Sequence, residues 1–472
     1  MKKAGTAALA LSLCFIGLSA SEKDIRPEID KAMARFVELG HFSGTVLIAR
    51  GGEVLYSKAF EMANRDLGVS NKMNTRFELG SIAKVLTGTG FMKLVEKGLV
   101  GLEDPVVKHL PAFPFGDKIR IIHLLTHTSG LPDYSDHPGF PAAWTRLRSI
   151  DDFLPFTFGQ KLKREEPGKV FEYCSSGFHL LGAIMEQIYG KSFRDIIRDE
   201  ILVPYGMAET SVANLEDIVP NRATGYVKDS LGRFKTNTYW MIPFIASAGI
   251  QTTAGDLLKF DRALAEGKVL KPSTLEKMAE PYLEKNWGIV WRLDEIDGRK
   301  IIYHGGETAG VSAMYRRYLK DDVTLIILSN YHRAGRPVAA VLQAILFGKP
   351  YDMPRPTAQE FLYQYLAGHG GALPAEESGR LLKENGYDIP AAADLNSFGY
   401  ELIDAGEIAM ALQVFQMNTR LFPKEANAWD SLAEACLRKG DREAAIRHYR
   451  KALEINPKLN SAKAALERLL KK

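Results

Sequence analysis

Two short runs rich in β-branched and apolar residues flank Gly51-Gly52 between residues 44 and 60, and they predict two strands joined by a glycine-containing turn. After a polar, Asn-containing connection (64 to 75) the pattern changes. Val85, Leu86, Gly88, Phe91, Met92, Leu94 and Val95, up to Gly98, place apolar residues on nearly every face, which predicts a helix buried at the centre of a domain. Residues 119 to 131 predict a short helix stopped at Gly130 and Pro132. Residues 167 to 190 predict a turn that runs into an amphipathic helix, with Tyr173 on the loop just before it, and 255 to 265 predict another helix. Lys300 to Gly306 reads as a strand ending at a glycine pair. Two further strands, Val311 to Leu319 and Val323 to Asn330, follow it. Strands at both ends with helices between them predict an α+β fold, an antiparallel sheet packed with helices and an all-helical insertion.

From about residue 351 strand-like runs disappear. Residues 392–425 and 426–459 align at a spacing of 34, the tetratricopeptide period. Trp429, Leu432, Ala445, Tyr449, Ala452 and Pro457 hold the helix-pairing positions of the second copy. Leu395, Phe398, Gly399, Ala411, Phe415 and Pro423 hold those of the first, with Asn418 where a small residue usually packs. A terminal helix, 461 to 470, completes an all-α region. Two repeats are few for independent stability, so residues 358–390 are expected to add helix, or the array to lean on the preceding domain. The expected division is a signal peptide at 1–20, a catalytic domain at 21–350, a linker or helical connection at 351–391 and repeats with their terminal helix at 392–472.

Composition is that of a globular protein, 46% hydrophobic and 25% charged, and a net charge of +4 gives no argument for nucleic acid. Lys2 and Lys3, the apolar stretch Ala4 to Leu18 and the small Ser19 and Ala20 predict a secretory signal, hence a secreted or periplasmic protein. Lipoprotein anchoring at Cys14 is the weaker alternative, because Leu13 is bulky for such a site. No later segment is long and apolar enough to span a membrane, so no stable transmembrane segment is expected after cleavage. Cys174 and Cys436 make no disulfide framework.

The candidate chemistry begins at Ser81-Ile82-Ala83-Lys84, the only Ser-x-x-Lys in the chain. Residues three apart share a helix face, so the amine of Lys84 can reach the Ser81 hydroxyl and serve as its base. Downstream, in order, stand Tyr173-Cys174-Ser175 and His304-Gly305-Gly306. Together these resemble the serine β-lactamase and penicillin-binding protein superfamily, in its class C-like serine hydrolase branch, whose motifs are Ser-x-x-Lys, Tyr-x-Asn and Lys-Thr-Gly or His-x-Gly. The resemblance runs over roughly residues 30 to 345 and includes the phrase His-Leu-Leu-Thr-His-Thr-Ser-Gly-Leu at 123–131. It implies that Ser81 attacks a carbonyl while Lys84 and Tyr173 share the proton, and that Tyr173 deprotonates the water that releases the acyl-enzyme. It further implies an oxyanion site made by the backbone N–H groups of Ser81 and Glu307, with Gly306 letting substrate lie against the strand. His127 is read as a structural histidine at a helix end.

Two positions depart from that pattern. Ser175 replaces the usual Asn, and His304 replaces the Lys of true β-lactamases, an imidazole being a poorer carboxylate anchor than an ammonium. Both favour an esterase or peptidase acting on D-amino-acid or other small acyl substrates over a dedicated β-lactamase. A degenerate hydrolase serving as a repeat scaffold, and a penicillin-binding cell-wall enzyme, are the alternatives. The expected partners are a small-molecule or peptide substrate, with a protein partner open to the repeats. Specificity is expected around Tyr239, Trp240 and Phe244. No His-Glu-x-x-His, nucleophile elbow or phosphate loop occurs, and no cofactor or metal is expected.

Overall fold

The computed structural model describes residues 24–213, 216–237, 246–373 and 377–471. The expected signal at 1–20 and the aromatic residues Tyr239, Trp240 and Phe244 lie outside the described residues. The N-terminal two-thirds is built on a six-stranded antiparallel sheet. Its strands are β1 (Gly44–Arg50), β2 (Glu53–Phe60), β3 (Arg292–Ile296), β4 (Arg299–Thr308), β5 (Val311–Tyr318) and β6 (Val323–Ser329), in the order β3-β4-β5-β6-β1-β2. The two ends of this region meet in the sheet, where β1 pairs with β6 from Gly44↔Ser329 to Arg50↔Val323.

Alternation along these central strands separates two cores. Val46 and Ile48 of β1, with Leu325 and Ile327 of β6, face helices α1 (Arg26–Glu38) and α5 (Gly335–Leu346). Leu47 and Ala49, with Ile326 and Leu328, face the larger core, which holds α2 (Ala83–Glu96), α3 (Ser176–Tyr189) and α4 (Ala254–Ala265). Covering both faces explains why β1 and β6 read as continuous apolar runs. Within the larger core α2 is buried from Ala83 to Met92, Lys84 included, as its all-round apolar pattern predicts.

The structure corrects two boundaries. The strand expected to end at Gly305-Gly306 continues through them to Thr308, because both glycines pair with β5 at Met314 and Ala313. The edge strand β3 was not anticipated, since its Arg-Leu-Asp-Glu-Ile sequence is mostly polar and partly exposed. The helix predicted within 119–131 is a single short turn, Ile121–Leu125.

Beyond α5 the chain is helical: α6 (Ala358–Gly368), α7 (Ser378–Glu384), the pairs α8 (Ala392–Asp404) with α9 (Ile408–Leu421) and α10 (Ala426–Arg438) with α11 (Arg442–Ile455), and α12 (Asn460–Leu470). In the first pair a Cβ on Gly399 would lie 2.4 Å from the Phe415 ring, so glycine lets these helices close. Asn418 is tolerated in full burial because its Nδ2 donates to the Ala392 carbonyl at 2.9 Å. No helix among the described residues is long and apolar enough to cross a membrane.

The helical region leans on the hairpin of residues 226–236, the second of the two arrangements the sequence allowed, while α6 and α7 supply the first. Leu231 packs into the helical core, Ser230 N–H donates to Glu401 Oε2 at 2.8 Å, and Glu360 accepts from Lys228 Nζ at 2.6 Å beside His41 Nε2 at 2.8 Å. Burial pushes the Glu360 carboxyl up, but the hydrogen bonds from His41, Lys228 and the Thr357 N–H outweigh it and hold it at about 2. A carboxyl held below its unfolded value of about 4.3 stabilises the fold above that pH, and its contribution is lost as pH falls toward 2. Glu360→Gln is therefore expected to cost about 2 kcal/mol at pH 7, with the gap to wild type shrinking by about half at pH 3, as measured by thermal unfolding.

Candidate active site

Gly80 turns the chain at φ 51°, the left-handed region glycine enters freely, and delivers Ser81 onto the 3-10 turn Gly80–Ile82 that opens α2. The turn is anchored from behind. Leu79 N–H donates to the Ile250 carbonyl at 2.9 Å, and Phe77–Glu78 pairs with Ile250–Thr252. One helical step on, Lys84 Nζ lies 3.1 Å from Ser81 Oγ and donates to the Ser247 carbonyl at 3.0 Å. Lys84 is 1% exposed, and the ring faces of Tyr173 and Phe178 stand 5.1 and 5.6 Å from its nitrogen. Among the described residues it has no carboxylate partner. A buried amine with a hydroxyl, a carbonyl and two aromatic faces for neighbours is placed to exchange a proton with Ser81.

Strand β4 presses on this turn. A Cβ on Gly306 would lie 1.8 Å from the Leu79 carbonyl oxygen and 3.2 Å from Ser81 N, and a Cβ on Gly80 would lie 3.0 Å from Glu307 N. The backbone nitrogens of Ser81 and Glu307 thus lie on the two sides of one close contact between turn and strand. The Glu307 carboxylate faces elsewhere, accepting from Ser312 Oγ at 2.9 Å and from Arg333 N–H at 2.5 Å, so only its main chain is available to the site.

His304 is buried beneath the strand, its Nδ1 2.7 Å from the Gly305 carbonyl, which leaves the proton on Nδ1 and Nε2 as a lone pair with no hydrogen-bond partner. Burial, and then the charge of Lys84, push this imidazole down to about 3, so it is neutral and cannot anchor a carboxylate as an ammonium does. Ser175 stands at the N-cap position of α3 without a side-chain capping hydrogen bond, and its N–H donates to Asp133 Oδ2 at 2.7 Å. Tyr173 lies beside Lys84 by its ring, but its buried hydroxyl bonds neither Lys84 nor Ser81 and has no hydrogen-bond partner among the described residues. Such an unpartnered buried hydroxyl is uncommon in folded proteins.

Several residues around the site escaped sequence reasoning. Ser247 and Trp287 sit on loops without periodicity, and Asp133 follows a proline in an irregular stretch. His179 is one helical turn beyond Ser175, a spacing that places it on the face turned to the site. Burial, and then Lys84, lower His179 to about 3, and the same two causes lead for His127. Lys84 is thus surrounded by three neutral imidazoles. No group of three or more His, Cys, Asp or Glu that could hold a metal ion occurs among the described residues.

An antiparallel sheet backed by helices, with a serine and a lysine heading the central buried helix and a diglycine strand pressed on them, defines the β-lactamase and transpeptidase fold class of serine hydrolases. The chain belongs to the Beta-lactamase family, whose model matches residues 29–347, and a tetratricopeptide repeat model matches residues 426–459. It is 34% identical over 347 residues to penicillin-binding protein 4* of Bacillus subtilis (strain 168), covering 68% of this chain and 76% of that protein. The crystal structure of a penicillin binding protein from Bacillus halodurans superposes with a TM-score of 0.62 at 28% identity, over 66% of this chain and 98% of the other. D-amino acid amidase from Ochrobactrum anthropi SV3 shares the fold, with a TM-score of 0.60 at 22% identity over 69% and 98% of the two chains.

The seating of β4 yields a direct test. Gly306→Ala drives a methyl group into the Leu79 carbonyl, so it is expected to cost about 3 kcal/mol in thermal unfolding and to slow labelling of Ser81 by a fluorophosphonate at least tenfold. Gly305→Ala, whose Cβ would meet the flexible Met314 sulfur at 3.1 Å and the Ala313 carbonyl oxygen at an ordinary 3.7 Å, is expected to cost less than half as much.

Proposed function

We propose that this protein is an exported serine hydrolase that forms an acyl-enzyme on Ser81 with ester or amide substrates, D-amino-acid amides and peptides among them. The observation that carries the proposal is the 3.1 Å approach of Lys84 Nζ to Ser81 Oγ in a buried setting without a carboxylate. In this reading Ser81 Oγ attacks the substrate carbonyl and its proton passes to Lys84, while the N–H groups of Ser81 and Glu307 hold the developing oxyanion. The proton is then given to the leaving group; water attacks the acyl-enzyme, its proton taken by Tyr173 as the phenolic proton moves on to Lys84, and Lys84 returns a proton to the departing Ser81 Oγ. Residues 21–350 form the hydrolase domain, and residues 392–472 offer a repeat surface to a protein partner.

The neutral, buried His304 argues for the substrate class, since it provides no fixed positive charge for a free carboxylate. Amides and small esters need none. The named activity of the D-amino acid amidase that shares this fold fits the same preference. A second reading, penicillin binding, is favoured by the 34% identity to penicillin-binding protein 4*. A degenerate repeat scaffold is the third, and it predicts no turnover.

These separate in one assay series on the purified protein with p-nitrophenyl acetate, D- and L-phenylalanine amide and a fluorescent penicillin. Turnover of the ester and of the D-amide is expected, with no lasting penicillin adduct. Ser81→Ala and Lys84→Met are each expected to lower kcat about 1000-fold or more with little change in KM. Stable penicillin labelling without ester or amide turnover would favour the second reading, and turnover unaffected by Ser81→Ala would refute the proposal.

A further inference from the structure

The geometry points to His127 as the residue that positions Tyr173, gripping the three consecutive residues on which the phenol's placement depends. This inference rests on the acyl-enzyme reading above and assigns to His127 a part other than that of a helix-end histidine.

The chain reaches His127 at the end of the short helix Ile121–Leu125, and there the backbone turns to φ 56°. A non-glycine residue enters that left-handed region only where its surroundings hold it. Three contacts do so, one to each of three successive residues. The His127 carbonyl accepts the Glu172 N–H at 2.8 Å. The imidazole stacks on the Tyr173 ring with centroids 4.2 Å apart and planes at 28°. Its Nδ1 lies 3.2 Å from Cys174 N, which donates to it, and 3.1 Å from the Cys174 carbonyl oxygen. The neighbouring Thr128 carbonyl accepts the Gly168 N–H at 2.7 Å, so the two loops are joined along their length.

The far side of the imidazole is supported as well. Phe178 lies 5.3 Å away at a tilt, and the Trp287 ring meets it edge-on at 5.0 Å. Trp287 also meets the Tyr173 ring edge-on at 5.8 Å. The phenol is therefore held between His127 and Trp287, with its face toward Lys84 at 5.1 Å. Among the described residues no hydrogen bond fixes the Tyr173 hydroxyl itself, so the direction in which it points is set by the ring and the backbone, which is what His127 holds. Burial, and after it the charge of Lys84, keeps the imidazole neutral, and a neutral ring can lie beside the lysine without repelling it.

If His127 acts through Tyr173, its loss has nothing further to disturb once the phenol is gone. The test is a double-mutant cycle on p-nitrophenyl acetate hydrolysis by the full chain, using His127→Asn, Tyr173→Phe and the pair. Asn tolerates a positive φ but offers no ring. His127→Asn is expected to lower kcat about tenfold with KM within about twofold, and to change kcat less than about twofold in the Tyr173→Phe background. Losses that multiply would overturn the inference, since they would show a general structural role. His127→Phe keeps the ring and drops the Nδ1 contacts, and it is read by the same cycle where the Asn variant does not fold. Crystal structures of the variants decide the point without turnover: a displaced Tyr173 phenol supports the inference and an unmoved one overturns it. Absence of wild-type turnover would refute the hydrolase reading and leave the positioning to be settled by those structures.

Discussion

The head of α2 depends on one backbone contact, the seating of Gly306 of β4 against the Leu79 carbonyl. A side chain at 306 has no room, and a side chain at Gly80 would collide with the same strand from the other side. With both glycines in place, the sheet and the central helix approach closely enough to set the Ser81 and Glu307 backbone nitrogens on the two sides of one contact. The hydroxyl of Ser81, the amine of Lys84 and the neutral His304 then follow from the path of two well-packed elements. A site on such elements is positioned by the core itself.

Burial governs the electrostatics of the site. Lys84 lies in the largest core of the molecule with no acidic partner among the described residues, and each of the three imidazoles near it is lowered by burial first and by the lysine second. The result is one buried amine set among neutral imidazoles, with the Asp133 carboxylate tied to the Ser175 N–H. In the proposed reaction the oxyanion develops as the serine proton passes to the amine, and backbone dipoles that need no reorganisation hold it.

Much of this was legible in the sequence, for identifiable reasons. The all-round apolar run after Ser81 announced a buried helix, and the 34-residue period announced the paired helices near the C-terminus. The three motifs fell on the elements expected of them, with family membership supported over residues 29–347. What stayed hidden was non-local. Trp287, Ser247 and Asp133 reach the site from irregular loops, and nothing in their neighbourhood carries a period. Gly305-Gly306 suggested the end of a strand, whereas the structure uses the absence of side chains for close packing inside one. His127 illustrates the same limit: the motif around it was visible, and its stacking on a residue 46 positions away was not.

The central claim is that Ser81 is acylated. Rapid-quench mass spectrometry of the protein with p-nitrophenyl acetate, followed by tryptic mapping, tests it directly. The account predicts a single acetyl group on the Phe77–Lys84 peptide, located by fragmentation at Ser81 and absent from Ser81→Ala. An acetyl group at another residue, or ester turnover with no adduct at Ser81, would contradict it.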